Sequence, residues 1–238
     1  MNITDHTYRQ FDSELETLRA QVMQMGGMVQ TQIMTSIDAF TSGNFDLMEK
    51  VIADDHRVNG LEVNIDEECT QIIVKRQPAA NDLRLVMAVS KIVTDLERIG
   101  DEAAKIARIA KIVLQRDHLN MPRIAYVREI GDISLAMLRG VLDAYVRLDA
   151  VKAAAIIRED QAIDEKFRGI MRQLITYMLE DPRTITSAFD IVFIAKAIER
   201  IGDHAKNVAE NVIYIVKGKD VRHIALDQLD HAVQSNGL

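Results

Sequence analysis

Tryptophan is absent, aromatic residues make up only 5%, and a single cysteine, Cys69, occurs in 238 residues. One cysteine excludes an internal disulfide framework and fits a reducing compartment. Proline and glycine are also scarce. The chain has 3 prolines and 11 glycines, where average usage gives roughly 12 and 17. So few breakers argue against a many-turned β-sandwich or barrel. Net positive charge is lacking too: the balance is −7 and the isoelectric point near 5.4. That sign, without tryptophan for stacking, argues against binding nucleic acid through phosphate neutralisation. The longest charge-free stretch, Ala20 to Ile37, carries glutamine, threonine and serine that would be costly in lipid, so no membrane span is expected. Met1-Asn2-Ile3-Thr4-Asp5-His6 has no basic-then-apolar pattern, and no signal peptide is expected. These absences point to a cytoplasmic protein.

What is present is helical periodicity. Ile92, Leu96, Ile99, Ala103, Ile106, Ala110 and Val113 step alternately by four and three, a seam for packing on other helices. Ile194, Ile198, Ile201, Ala205, Val208, Val212 and Ile215 repeat those steps 102 residues later. Within the two seams, Glu97-Arg98-Ile99-Gly100-Asp101 is identical to Glu199-Arg200-Ile201-Gly202-Asp203. An internal duplication accounts for this. Upstream, Ile37-Asp38-Ala39-Phe40 resembles Leu142-Asp143-Ala144-Tyr145 at an offset of 105, as Asp55 and Asn59 correspond to Asp160 and Asp164. Each half then reads as three helical blocks, placed at 5–41, 45–76 and 80–116, and at 122–147, 150–180 and 184–217. Breakers fall in the gaps: Ser42-Gly43-Asn44, Gln77-Pro78, Met121-Pro122, Asp181-Pro182 and Gly218. The expected fold is all-α: two pseudo-symmetric antiparallel three-helix bundles, 1–120 and 121–218, followed by a weakly patterned tail, 219–238. Met23, Met25, Met28 and Met34, with Gly26-Gly27 among them, read as core filler and close helix approach rather than as an adaptable binding surface.

Glu97 and Asp101, like Glu199 and Asp203, are i and i+4, so each pair shares one helix face and repels. Gly100 and Gly202 add a helix penalty of about 1 kcal/mol each. A multivalent cation between the carboxylates would remove the repulsion, and hard ions take oxygen ligands of this kind. Asp160 and Asp164 could complete a four-carboxylate site in the second half. Asp55 would contribute in the first, where Asn59 replaces the fourth carboxylate. On the heptad, Glu97 and Asp101 fall at b and f, which places a site on the bundle surface. Charges there are otherwise a solvated face, with Asp101 paired to Lys105 and Asp95 to Arg98. Glu-x-x-His pairs, Cys-x-x-Cys, a phosphate-cradling loop and a nucleophile elbow are all missing. Cys69 reads as core.

The duplicated Glu-Arg-Ile-Gly-Asp helices, with Lys75-Arg76-Gln77-Pro78 before Asp82-Leu83-Arg84-Leu85, and Gln24-Met25-Gly26-Gly27-Met28-Val29 earlier, resemble the PhoU family. That resemblance implies a cytoplasmic, non-enzymatic regulator built from two three-helix bundles and often dimeric. It would act as a negative regulator of the phosphate-starvation response. Its partners would be the ATPase subunit of the phosphate-importing ABC transporter and a phosphate-sensing histidine kinase, with membrane contact only through them. It also implies metal binding (iron, manganese, magnesium, calcium or zinc) at Glu97/Asp101, Glu199/Asp203 and Asp160/Asp164, with Asp55 opposite Asn59. Arg98 and Arg200 are candidate partner contacts. The alternatives are a metal-dependent carboxylate-bridged enzyme, or a simple metal-binding helical protein.

Overall fold

The structure is a computed structural model and describes residues 3–116 and 124–234. The helices run α1 Ile3–Ser42, α2 Phe45–Arg76, α3 Ala80–Arg116, α4 Ile124–Arg147, α5 Ala150–Glu180, α6 Ile185–Lys217 and α7 Leu226–Gln234, with a 3-10 turn at Pro182–Thr184 before α6. The expectation of six long helices in two matched sets holds, and the ends fall within a few residues of the breakers. The expected handover at Met121-Pro122 lies outside the described residues.

Local chemistry sets the joints, and the joints repeat. Asn44 caps α2 by accepting from the Leu47 amide at 3.1 Å, and Asp149 caps α5 by accepting from the Lys152 amide at 2.9 Å. The same two residues close the preceding helices, their own amides donating to the Ala39 and Ala144 carbonyls at 3.0 and 2.9 Å. Each joint needs a left-handed residue just before the cap. Gly43 fills it at φ 69° in the first half, whereas Leu148 is forced into it at φ 51° in the second.

α3 and α6 form the centre. They pack on each other, α3 also against α1 and α2, and α6 against α4 and α5. Their alanine-rich stripes are fully buried, among them Ala103, Ala107, Ala110, Ala195, Ala205 and Ala209. One continuous apolar cluster therefore runs through both bundles. α1 and α4 also touch, through a reciprocal fit. A Cβ added at Gly26 would lie 2.6 Å from Leu142 Cδ2, and one at Gly131 would lie 2.3 Å from Ile37 Cδ1. Each half supplies the knob that fills the other's hole. Of the methionines, Met25 is fully buried, and Met23 and Met28 pack against the core, while Met34 is exposed.

The segment expected as a weakly patterned tail contains α7. Leu229, Ala232 and Val233 are buried, and Asp230 accepts from Arg158 of α5 at 2.5 Å. Three apolar positions over barely two turns are too few to register as a period in sequence. No described helix is long and apolar enough to cross a membrane.

Candidate functional site

Two acidic faces arise where the middle helix of each bundle lies beside its duplicated helix: α2 beside α3, and α5 beside α6. The mid-helix glycines serve packing within the chain. A Cβ at Gly202 would lie 2.6 Å from Ile163 Cδ1, and one at Gly100 would lie 3.1 Å from Gln32 Oε1 and 3.4 Å from Val58 Cγ1. This close approach seats the second helix against the acidic stretch.

On the first face, Asp55 and Glu62 of α2 meet Glu97 and Asp101 of α3. Burial, then Asp101, Glu62 and Asp55, raise the Glu97 carboxyl above its ordinary value. Burial and then Asp101 likewise raise Asp55, against the opposing Arg108, whose Nη2 lies 3.4 Å from Asp55 Oδ2. Burial pushes Glu62 up as well. Asp55 Oδ1 and Asn59 Oδ1 are buried with no hydrogen-bond partner. Orphaned acceptor oxygens among carboxylates that hold their protons unusually high are what a hard cation would satisfy.

On the second face, Asp160 and Glu199 are 6% and 8% exposed and Asp203 is half-buried. Burial, then Glu199 and Asp160, raise Asp203. Two ammonium groups already serve this face. Lys206 donates to Asp160 Oδ2 at 2.8 Å, and Lys196 to Glu199 Oε2 at 2.5 Å. Burial pulls Lys206 down, but its bond to Asp160 and the charges of Asp160, Glu210 and Asp203 outweigh this and hold it above its ordinary value. In the duplication these lysines stand where the first half has Ala104 and Thr94. Asp164 lies one turn beyond Asp160, and its carbonyl accepts from Arg168 Nε at 3.2 Å. Among the described residues, no three His, Cys, Asp or Glu side chains are gathered closely enough to hold a metal ion as they stand.

Glu62, Lys196 and Lys206 did not emerge from the sequence reading. Glu62 is i+7 from Asp55, the same face two turns on, which is the signal that was available. The side-chain pairings expected from a solvated face also differ. Lys105 binds Glu102 at 3.1 Å rather than Asp101. Asp95 is buried and pairs across the bundles, 2.9 Å from His204 Nδ1 and accepting from Asn207 Nδ2 at 3.0 Å. Arg200 also spans the bundles, its Nη1 3.0 Å from Glu102 Oε1, while Arg98 is exposed.

Comparison with known proteins bears on the fold and the duplication. The PhoU domain family model matches residues 22–110 and again 127–212. The two matches begin 105 residues apart, the offset read from the first helices. The phosphate-specific transport system accessory protein PhoU of Escherichia coli (strain K12) is 47% identical over 230 residues, covering 97% of this chain and 95% of that protein. The Pseudomonas aeruginosa homolog of that accessory protein is 43% identical, covering 99% of this chain and 97% of that protein. The crystal structure of PhoU from Pseudomonas aeruginosa superposes with a TM-score of 0.85 at 42% identity, covering 88% of this chain and all of that one. The phosphate transport system regulatory protein PhoU from Streptococcus pneumoniae gives 0.82 at 27% identity, covering 89% of this chain and 99% of that one.

Proposed function

The chain belongs to the PhoU family, and from that membership we propose that it is an accessory protein of a phosphate-specific transport system, acting as a regulator and not as an enzyme. In this reading it is a cytoplasmic homodimer that holds the phosphate-starvation response off while phosphate is plentiful. It does so as an adaptor between the ATPase subunit of the phosphate ABC transporter and a phosphate-sensing histidine kinase. The observation that carries the reading is 47% identity to the Escherichia coli accessory protein across 97% of this chain. A continuous core joining long, polar-faced helices suits a rigid recognition surface. Arg98, exposed beside the first acidic face, is a partner contact in this reading, and Arg200 contributes on the other side while holding Glu102.

The same reading gives the acidic faces hard cations. Asp55, Glu97 and Asp101, with the Asn59 amide oxygen, hold one in the first half. Asp160, Glu199 and Asp203, with Asp164 behind them, form its counterpart. The carboxylates of either face must rotate inward to share an ion. The unpartnered oxygens on the first face favour this, while Lys196 and Lys206 compete on the second. A bound cation supplies neutralisation and rigidity.

Two measurements test this. A tagged chain should co-purify the transporter's ATPase subunit; a clean preparation lacking it, from cells expressing the transporter, contradicts the adaptor role. Protein purified without chelator should contain metal that Glu97→Ala/Glu199→Ala loses; equal metal in both contradicts the site.

A further inference from the structure

Large apolar side chains stand out of the protein along three neighbouring helices. Ile175 and Leu179 of α5 are 47% and 79% exposed, Ile185, Phe189 and Phe193 of α6 are 41%, 50% and 53%, and Ile112 of α3 is 41%. Spacings of four keep the α5 set and the α6 set each on one helix face. Contacts between the helices put these stripes side by side at one end of the molecule. Lys196 Nζ of α6 lies 5.5 Å from the centre of the Phe167 ring on α5, and Arg116 Nη1 of α3 lies 3.4 Å from Asp190 Oδ2 of α6. The duplication supplies an internal control. The corresponding positions of the first half are Thr70 and Val74 on α2, then Leu83, Met87 and Lys91 on α3. Only the Leu83–Ile185 pair is alike in character. Beside the stripes, Phe167 and Met171 stand where the first half has Glu62 and Asp66. Charge follows the same division. The chain carries −7, yet three cations between 166 and 179 on α5, and four between 103 and 116 on α3, stand with no acid among them. These two stretches flank the α6 stripe. Where nearby cations hold carboxylates, the cation is outermost: the side chains of Arg116, Lys196 and Arg200 are 46–56% exposed, and those of their partners Asp190, Glu199 and Glu102 only 9–19%. Glu180 and Asp181 at the tip adjoin Arg183, which donates to Asp181 at 2.9 Å.

We propose that this face rests directly on an anionic phospholipid surface, with Phe189 and Phe193 entering the boundary between headgroups and acyl chains, and Arg116, Arg168 and Arg172 meeting lipid phosphates. Apolar side chains bordered by Lys and Arg are the pattern of a helix that lies in a membrane interface. Each cation brought to such a surface adds attraction. Breadth decides against a docked helix as the occupant. Stripes on three neighbouring helices span about 20 Å, two interaxial spacings, whereas one helix is about 10 Å across. Charge decides against a second copy, because stacking two such faces sets cation against cation. The carboxylates of the second acidic face lie clear of the contact: Asp203 is ten residues beyond Phe193 on α6, about 15 Å along the axis. The contact lies on the membrane and spans nothing, and it depends on neither the adaptor role nor a bound cation.

Co-sedimentation of the full chain with vesicles tests the contact. Vesicles of phosphatidylglycerol and phosphatidylcholine in equal parts should bind it at about 0.1 M salt, and vesicles of phosphatidylcholine alone about fivefold less or weaker. Phe189→Ser/Phe193→Ser should weaken binding about tenfold or more. Arg168→Gln/Arg172→Gln should weaken it and flatten its salt dependence. All four side chains are exposed, so thermal midpoints should stay within about 4 °C of the unaltered chain, and lost binding then reports the surface and not the fold. A second readout is local. The chain has no tryptophan, so Phe189→Trp carries a single one, whose emission should shift to the blue on the anionic vesicles. Met87→Trp, at the corresponding position of the first half, should not shift. The proposal is overturned by no binding to the anionic vesicles, by equal binding to phosphatidylcholine alone, by binding indifferent to Phe189→Ser/Phe193→Ser, or by Met87→Trp shifting as far as Phe189→Trp. Absent vesicle binding, with the transporter's ATPase subunit no longer held by the double serine variant, overturns it too and assigns the face to a protein.

Discussion

A single methyl group at position 131 tests how the two bundles are locked together. In Gly131→Ala the new Cβ would sit 2.3 Å from Ile37 Cδ1 and 3.2 Å from its Cγ1. Ile37 is 3% exposed, so its terminal methyl must swing aside within a packed core. Overpacking of this kind destabilises by about 1–3 kcal/mol. Alanine in a helix interior returns about 1 kcal/mol over glycine, so the net loss should be about 1 kcal/mol. Ile37→Val alone removes the Cδ1 methyl and should also lose about 1 kcal/mol. Together the changes are complementary, because the alanine methyl fills the space the isoleucine methyl leaves. The double variant should lie near the unaltered protein, a coupling of about 2 kcal/mol. Urea unfolding of the four proteins, extrapolated linearly, measures it. Additive losses, with the double variant about 2 kcal/mol less stable, would refute the reciprocal fit of α1 and α4. Gly26 with Leu142 offers the mirror-image cycle.

Three further outcomes are expected. Burial and neighbouring carboxylates raise Glu97 and Asp203, so the folded chain holds these protons to higher pH than the unfolded chain does. The associated stability is complete below about pH 4, the unfolded-chain range, and is lost as pH rises through the raised values. In metal-free buffer, Glu97→Gln and Asp203→Asn should therefore melt higher at neutral pH and converge with the unaltered chain below about pH 4; lower melting at neutral pH contradicts the account. Leu148→Gly releases a left-handed leucine and should stabilise by about 0.5–1 kcal/mol in denaturant titration, whereas any loss would show that the leucine side chain matters more than its backbone. Asp95→Ala strands His204 and Asn207 between the bundles and should destabilise by about 3 kcal/mol, and a change below about 0.5 kcal/mol would show that the pair does not hold α3 to α6.

How far the sequence could be read follows from where its signals lie. The helix limits were legible because the breakers are rare and fall at joints such as Gly43-Asn44 and Gln77-Pro78. The duplication was legible because one five-residue string recurs in register. α7 was not, since Leu229, Ala232 and Val233 make too short a pattern. At the acidic faces, the spacing put Glu97 with Asp101 and Glu199 with Asp203 on one face each, and Asp101 is exposed as expected, but the surface expectation fails for Glu199. The heptad reading assumes one seam per helix, whereas α3 packs against three other helices and α6 against four, leaving only a narrow strip to solvent. Glu199 is consequently buried under Lys196 instead of being solvated. The lysines were invisible to a search for carboxylates, and the Asp95–His204 pair joins residues 109 positions apart.

Control of phosphate-dependent gene expression is the central claim, and one measurement addresses it most directly. A strain deleted for this protein is grown in high phosphate and assayed for a phosphate-repressed phosphatase. The account expects high phosphatase activity, restored to the repressed level by the intact chain supplied in trans. Repression that persists unchanged in the deleted strain would contradict it.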